Sequence, residues 1–126
     1  MNRGRGWRVL VLLVIGGASL LLAQRSERST ITGEVIEIVS FVIREARGEE
    51  HAESGRFRAE QGFPVGILTE QGEVYLAVYR SSAPAAPLKT ANSQLGELIG
   101  KSVVAQGHLF ERAGVRVIEI AVVSEM

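Results

Sequence analysis

The chain has 126 residues, with 14 basic and 14 acidic side chains, 46% apolar residues and no cysteine. This composition predicts one globular domain and excludes a disordered chain. Disulfide frameworks and thiolate metal sites are excluded as well, because both need cysteine. Once the first 23 residues are set aside, the rest of the chain carries a formal charge of about −3, which argues against nucleic acid as a partner.

The amino terminus has the pattern of an export signal. Arg3, Arg5 and Arg8 precede residues 9–23, a run without any charge. A basic region before an apolar run is typical of a signal peptide, and a run of this length can also just span a bilayer. Residues 1–23 are therefore interpreted as a hydrophobic helix that is either a cleaved signal peptide or a retained membrane anchor. Both interpretations keep the amino terminus in the cytoplasm and export the rest to the periplasm or the outer face of the inner membrane.

After a polar linker at 24–29, residues 30–126 are expected to form the folded domain. Residues 30–44 predict a long first strand with apolar residues on both of its faces. A bulge near Val35-Ile36, or burial of both faces at a barrel corner, would explain this pattern. The charged segment 45–62, here called the insertion, predicts a helix over about 49–61.

The second half of the chain predicts two hairpins with a short helix between them. Residues 63–79 form a hairpin that turns at Gln71-Gly72. A helix capped by Asn92 or Ser93 follows and closes at Gly100, where a left-handed residue is expected. Residues 101–110 and 115–123 are strands joined by a four-residue loop, 111–114. One face of each strand reads as the apolar side: Val103, Ala105, Gly107 and Leu109 on the first, and Ile118, Ile120 and Val122 on the second.

This order of elements is that of a mainly β, five-stranded OB-like barrel with a helical insertion after strand one and a short helix before strand four. Phosphate loops, GxSxG elbows and HExxH motifs do not occur in the sequence. We therefore expect a non-enzymatic binding or accessory module without a cofactor, which contacts a protein or a small ligand. The charged insertion and the start of strand two are the expected contact region, because long segments on rigid barrels commonly carry recognition. Its candidate residues are His51, Phe57 and Phe63.

Two alternatives remain open at this point. Tyr75 and Tyr79 share one strand face and could stack on an oligosaccharide or a nucleic acid, as rings on strands two and three of OB domains do. His51 and His108, with nearby glutamates, could instead handle a metal or haem.

Several short segments resemble small exported bacterial proteins of the OB-fold type. They are 62–68 (GFPVGIL), 98–101 (LIGK), 104–107 (VAQG) and 112–115 (RAGV). The resemblance implies an exported OB barrel. Some of these proteins carry a histidine and two cysteines in the insertion, whereas this chain has His51 but Ser54, Gly55 and Phe57 in that region. A weaker likeness is to the membrane-tethered OB-fold haem chaperones, whose haem-attaching histidine lies in a tail that residues 124–126 do not reproduce.

Overall fold

The computed structural model describes residues 27–79 and 91–126, which form a closed five-stranded barrel with short helices at one end. The strands are β1 (Ser29–Glu37), β2 (Val65–Thr69), β3 (Val74–Tyr79), β4 (Ser102–Arg112) and β5 (Val115–Glu125). The helices are α1 (Ile38–Arg44), α2 (Ala52–Glu60) and α3 (Ala91–Leu95), with 3-10 turns at Glu49–His51 and Gly96–Leu98. The order around the barrel is β1-β2-β3-β5-β4, with β3 and β5 parallel and all other neighbours antiparallel. The predicted mainly β, five-stranded barrel is confirmed.

The barrel interior is filled by apolar side chains from every strand. Val35, Ile67, Val103 and Ile118 are fully buried, and Ala77 is nearly so. The same core cluster includes three residues from the helical segments, Ala59, Leu95 and Ile99. The helices therefore close one end of the barrel, which we call the capped end. The opposite end, formed by the β2–β3 turn, the β4–β5 turn and the first residues of β1, is called the open end.

The segment after α3 fixes the capped end to β1. The Val35 amide donates to the Lys101 carbonyl at 3.0 Å, and the Gly100 amide donates to the Val35 carbonyl at 2.9 Å. Gly100 has φ 86°, as predicted, and a Cβ there would lie 2.7 Å from the Gly48 carbonyl oxygen. Only glycine permits both this backbone conformation and this close approach. The insertion and the start of β4 thus pack directly against each other.

The predicted first strand over 30–44 is wrong in its second half, because β1 ends at Glu37 and helix α1 follows. The Glu37 carboxylate accepts hydrogen bonds from the amides of Val39 and Ser40 at 3.0 and 2.8 Å, which caps α1. Glu45 ends this helix in a left-handed conformation at φ 55°. The residues of α1 are largely β-branched and favour strands, so the cap and the tertiary packing override that local preference.

Both faces of β1 carry apolar residues because both faces are buried. Pairing with β2 runs without a register shift from Gly33 to Glu37, so the predicted bulge near Val35-Ile36 is absent from β1. Val35 points into the core, and Ile36, on the opposite face, is 1% exposed. The alternative expected at a barrel corner is therefore confirmed.

The only register shift between β4 and β5 lies at Gln106 and Gly107, and it changes which residues face inward. Gly107 pairs with Ile120 whereas Gln106 pairs with Val122, so Ala121 is the extra residue. A Cβ on Gly107 would overlap the Glu119 carbonyl oxygen, so the two strands approach too closely for any side chain there. Val122 is consequently 50% exposed, and its predicted place beside Ile118 and Ile120 is wrong.

The β4–β5 turn is shorter than predicted. Glu111 pairs with Arg116 and Arg112 with Val115, which leaves a two-residue turn at Ala113-Gly114 instead of the four-residue loop. Both turn residues have positive φ, 52° and 79°. This is the pattern of a type I′ turn, whose twist matches that of the flanking strands.

Of the remaining predictions, one is confirmed, one is wrong and two lie outside the described residues. The helix expected over about 49–61 is present as a 3-10 turn and α2. Asn92 lies inside α3 and bonds elsewhere, so it is not the predicted cap. Within 27–79 and 91–126 no helix has the length and apolarity needed to cross a membrane. The hydrophobic helix predicted at 1–23 and the loop at 80–88 lie outside the described residues.

Candidate functional site

A polar groove of about 480 Å³ lies at the open end of the barrel. It is lined by residues from the start of β1, the β2–β3 turn and the start of β3: Thr30, Ile31, Thr32, Thr69, Glu70, Gln71, Glu73 and Tyr75. The groove exists because the two partners of β1 stop at different places. Pairing with β2 ends at Gly33 and Thr69, whereas pairing with β4 continues to Ser29 and Gly107. The first four residues of β1 therefore have β4 on one side and the groove on the other.

The turn that forms one wall of the groove is held by its own hydrogen bonds. The Thr69 amide donates to the Glu73 carbonyl at 2.9 Å, and the Gly72 amide donates to the Thr69 carbonyl at 3.0 Å. The Thr69 hydroxyl also accepts from the Glu73 amide at 3.1 Å. These bonds fix the backbone that carries Glu70 and Gln71, whose side chains are exposed. The polar lining is thus presented by a well-fixed hairpin turn.

Glu73 links the groove to β5. The Tyr75 hydroxyl donates to Glu73 Oε2 at 3.1 Å, and Arg116 Nε lies 3.6 Å from the same oxygen. Burial raises the pKa of Tyr75, and the hydrogen bond and negative charge of Glu73 raise it further. Tyr75 therefore remains a neutral hydrogen-bond donor at physiological pH. The groove as a whole offers hydroxyl, amide and carboxylate groups for binding a polar ligand.

The two tyrosines do not form an exposed pair of rings. Tyr75, Ala77 and Tyr79 lie on the inward face of β3, and both rings pack against the core cluster. Only Tyr75 also reaches the groove. The Tyr79 hydroxyl is buried without a hydrogen-bond partner among the described residues, and burial raises its pKa. Most of the surface that a stacked base or sugar would need is therefore used for packing.

The other three predicted site residues lie at the capped end, apart from the groove. His51 is exposed on the 3-10 turn of the insertion, beside a hollow of about 10 Å³ that has room for one water molecule. Phe57 is 62% exposed on α2. Phe63 is half-buried just before β2, with the Arg58 guanidinium carbon 3.9 Å from the centre of its ring. Whether any of them contacts a partner stays a prediction.

The capped end contains a buried carboxylate that the sequence reasoning missed. Glu37 is 3% exposed, caps α1 and accepts from Arg58 Nε at 3.0 Å. Burial alone would raise the pKa of this carboxyl, but hydrogen bonds from Ser40, Arg58 and Val39 together outweigh burial and lower the pKa. Glutamate is not a preferred capping residue, so nothing in the local sequence indicated this role. Glu37 joins β1, α1 and α2 in one charged network.

Further polar contacts tie the insertion to the rest of the capped end. Asn92 donates to the carbonyls of Ala59 and Phe63 at 3.2 and 2.6 Å. Glu34 accepts from the Gly48 amide at 2.8 Å and from Arg47 at 3.3 Å. These side chains already have partners within the protein. These four hydrogen bonds hold the insertion on the barrel.

The two histidines lie on separate elements. His108 is on the outer face of β4 with its Nδ1 atom 3.9 Å from Glu119 on β5, whereas His51 belongs to the insertion. Across the part of the chain that the structure describes, histidine and glutamate side chains form no group of three or more that could hold a metal ion. The described geometry therefore adds no support to a metal site built from His51, His108 and glutamates.

The chain matches no model of a known protein family, and neither the curated proteins nor the solved structures gave a significant match.

Proposed function

We propose that the protein is an extracytoplasmic, non-enzymatic binding module on an OB-like barrel, exported or anchored by its first 23 residues. The order β1-β2-β3-β5-β4, with β1 paired to both β2 and β4 and with β3 parallel to β5, supports the OB-like assignment. The basic and apolar amino terminus supports export. The module holds a small polar ligand or a polar segment of a partner protein in the groove at the open end.

The groove carries this proposal because its polar groups line an open space, in contrast to those of the capped end. Three threonines, two glutamates and one glutamine surround a volume sufficient for a small ligand. A lining of hydroxyls and carboxylates favours ligands rich in hydrogen-bond donors, such as polyols and amines. Glu37, Glu34, Arg58 and Asn92, at the other end, already bind each other or the backbone.

A titration followed by amide chemical shifts tests the proposal with two defined probes, the neutral oligosaccharide maltotriose and the polyamine spermidine. The full chain is prepared with uniform 15N labelling in detergent micelles. We expect saturable shifts from at least one probe, concentrated at residues 30–32 and 69–73. Shifts that concentrate at residues 48–61 would place the site on the insertion, and the absence of saturable shifts with both probes would contradict the groove proposal.

Two matched variants identify the groups involved. Thr30→Val removes an exposed hydroxyl from the groove at nearly constant shape, and Glu70→Gln removes one charge. We expect the first to weaken maltotriose binding and the second to weaken spermidine binding, for whichever probe binds. Glu97→Gln is the control, because Glu97 is an exposed glutamate at the capped end that pairs with Arg56. Equal weakening by Glu97→Gln would show that general charge, and not the groove, causes the binding.

A further inference from the structure

The β4–β5 hairpin extends past the point where the chain enters the barrel. The last pair between β1 and β4 joins Ser29 to Gly107, and β4 then continues for five more residues to Arg112. At about 3.4 Å per residue, this extension is about 17 Å long. Because β1 and β4 are antiparallel, β4 continues past the amino-terminal end of β1.

The outer face of this extension is apolar with one cation. Phe110 lies opposite Val117 and Arg112 opposite Val115, so these four side chains share one face of the two-stranded ribbon. Phe110 is 55% exposed and Val115 60% exposed. The parallel pairing of Val117 with Leu76 extends the same face onto β3. We call the set Phe110, Arg112, Val115 and Val117 the hairpin face.

An exposed aromatic ring, two aliphatic side chains and an arginine are an arrangement suited to the interface of a lipid bilayer. The ring and the aliphatic groups enter the boundary of the acyl chains, while arginine remains among the headgroups. On the opposite face of the ribbon, Glu73 and Glu111 lie 3.6 and 3.7 Å from Arg116 and offset its charge. The affinity of this hairpin for a bilayer is therefore expected to come mainly from its apolar side chains.

The length of the linker matches this geometry. Residues 24–29 can span at most about 20 Å when extended, which is close to the extension of the hairpin past Ser29. A domain held by an anchor at residues 1–23 therefore brings the hairpin face within reach of the same bilayer. From this match we infer that the hairpin face rests on the membrane surface and orients the barrel on it. The inference rests on the proposed function, specifically on retention of the anchor.

The absence of cysteine permits a clean test, since a single introduced cysteine carries the only label. An environment-sensitive fluorophore is attached at Ala113→Cys, at the tip of the hairpin, or at Gln61→Cys, an exposed position at the capped end. The full chain is reconstituted in vesicles of phosphatidylcholine and phosphatidylglycerol. We expect a blue shift and quenching by a headgroup-labelled lipid at position 113, with neither at position 61.

The apolar side chains are tested by adding Phe110→Ser and Val115→Ser to the Ala113→Cys protein. Because both residues are exposed, the fold should tolerate these changes, which circular dichroism checks. We expect loss of the blue shift while the protein still floats with the vesicles through its anchor. The same signal at positions 113 and 61, or a signal at 113 that survives both serines, would overturn the inference.

Two further outcomes separate this inference from the proposals it depends on. A chain that does not float with vesicles would overturn the retained anchor and the membrane contact together, while leaving the groove proposal to its own titration. A blue shift at position 113 that appears in detergent without vesicles, and grows with protein concentration, would assign the hairpin face to a second copy of the chain. That result would overturn the membrane contact alone.

Discussion

The two ends of the barrel use polar residues in opposite ways. At the capped end Glu37 is buried, bonded to three donors and placed where β1, α1 and α2 meet. At the open end Glu70 and Gln71 are exposed on a turn beside a groove of about 480 Å³. The sequence predicted the insertion as the contact region because it is a long, charged segment on a rigid barrel. Arg47 and Arg58 of the insertion, like Glu37, bind other parts of the fold, so some of the charge in this region is structural, and a polar residue is available to a ligand only where it lacks such a partner.

The largest effect is expected from breaking the barrel that both ends share. Val103 is fully buried in the core, so Val103→Asp places an unpaired charge there and should cost about 4 kcal/mol or more of unfolding free energy. Val104 is the neighbouring residue on the outer face and is partly exposed. Val104→Asp should cost about 1 kcal/mol. Urea denaturation followed by circular dichroism measures both, and equal losses would mean that the inward face of β4 is assigned wrongly.

The next largest loss of stability is expected from a packing defect at the capped end, compared with a similar truncation at the open end. Leu95, just before the last 3-10 turn, is fully buried in the core cluster at the capped end. Leu95→Ala should therefore cost about 3 kcal/mol. Val115→Ala at the open end removes a 60% exposed side chain and should change stability by less than about 0.5 kcal/mol. If both variants melt like the parent protein, the helices do not close the barrel as described.

Removing the charge of Glu37 should cause a smaller loss of stability, and the size of this loss should depend on pH. Glu37→Gln should cost about 2 kcal/mol at neutral pH, because it weakens three charge-assisted hydrogen bonds. Since folding lowers the pKa of Glu37 below the ordinary value of 4.5, this carboxylate stabilises the fold above that pH. The stabilisation is lost as pH falls through the lowered pKa.

Denaturation at a series of pH values measures this effect. Glu37→Gln should lose less stability on acidification than the parent protein. Glu73→Gln, which alters an exposed ion pair, should change stability by less than about 0.5 kcal/mol and keep the acid dependence of the parent. If the acid dependence is the same in all three proteins, another group causes it.

The sequence predicted the elements with regular periodicity and missed those set by tertiary contacts. Alternation identified the inward face of β4 at Val103, Ala105 and Gly107, which are buried. It failed at Val122, because the register shift beside Gly107 reverses the phase and depends on a close approach to Glu119. It also failed for α1, whose strand-like composition gave no sign of the cap supplied by Glu37.

The groove was not predictable from local pattern. Its lining joins residues 30–32 to residues 69–75, and the space between them exists only because β2 stops before the start of β1 does. A hydrophobic pattern specifies which face of a strand is buried, but not where a neighbour ends. Tyr75 alone among the predicted site residues reaches the groove, and it does so from a face that was predicted for stacking.

The smallest expected effect is a gain in stability at the open end. Ala113 has φ 52°, a conformation that costs a residue with a Cβ about 1 kcal/mol and that asparagine tolerates better. Ala113→Asn creates the Asn-Gly pair that type I′ turns favour, and it should stabilise the fold by about 0.5–1 kcal/mol. Thermal denaturation measures the gain, and a loss of stability would contradict the turn type.

The double pairing of β1 has a consequence for the order in which the protein can fold. β1 needs β4 as its second neighbour, and Ser29 and Gly107 lie 78 positions apart in the chain. The barrel is then completed by the parallel contact of β3 with β5, which lies after all four other strands in the described chain. Contacts this distant make closure slow compared with local hairpins. Under the proposed export, this late closure favours passage of the unfolded chain through an export channel.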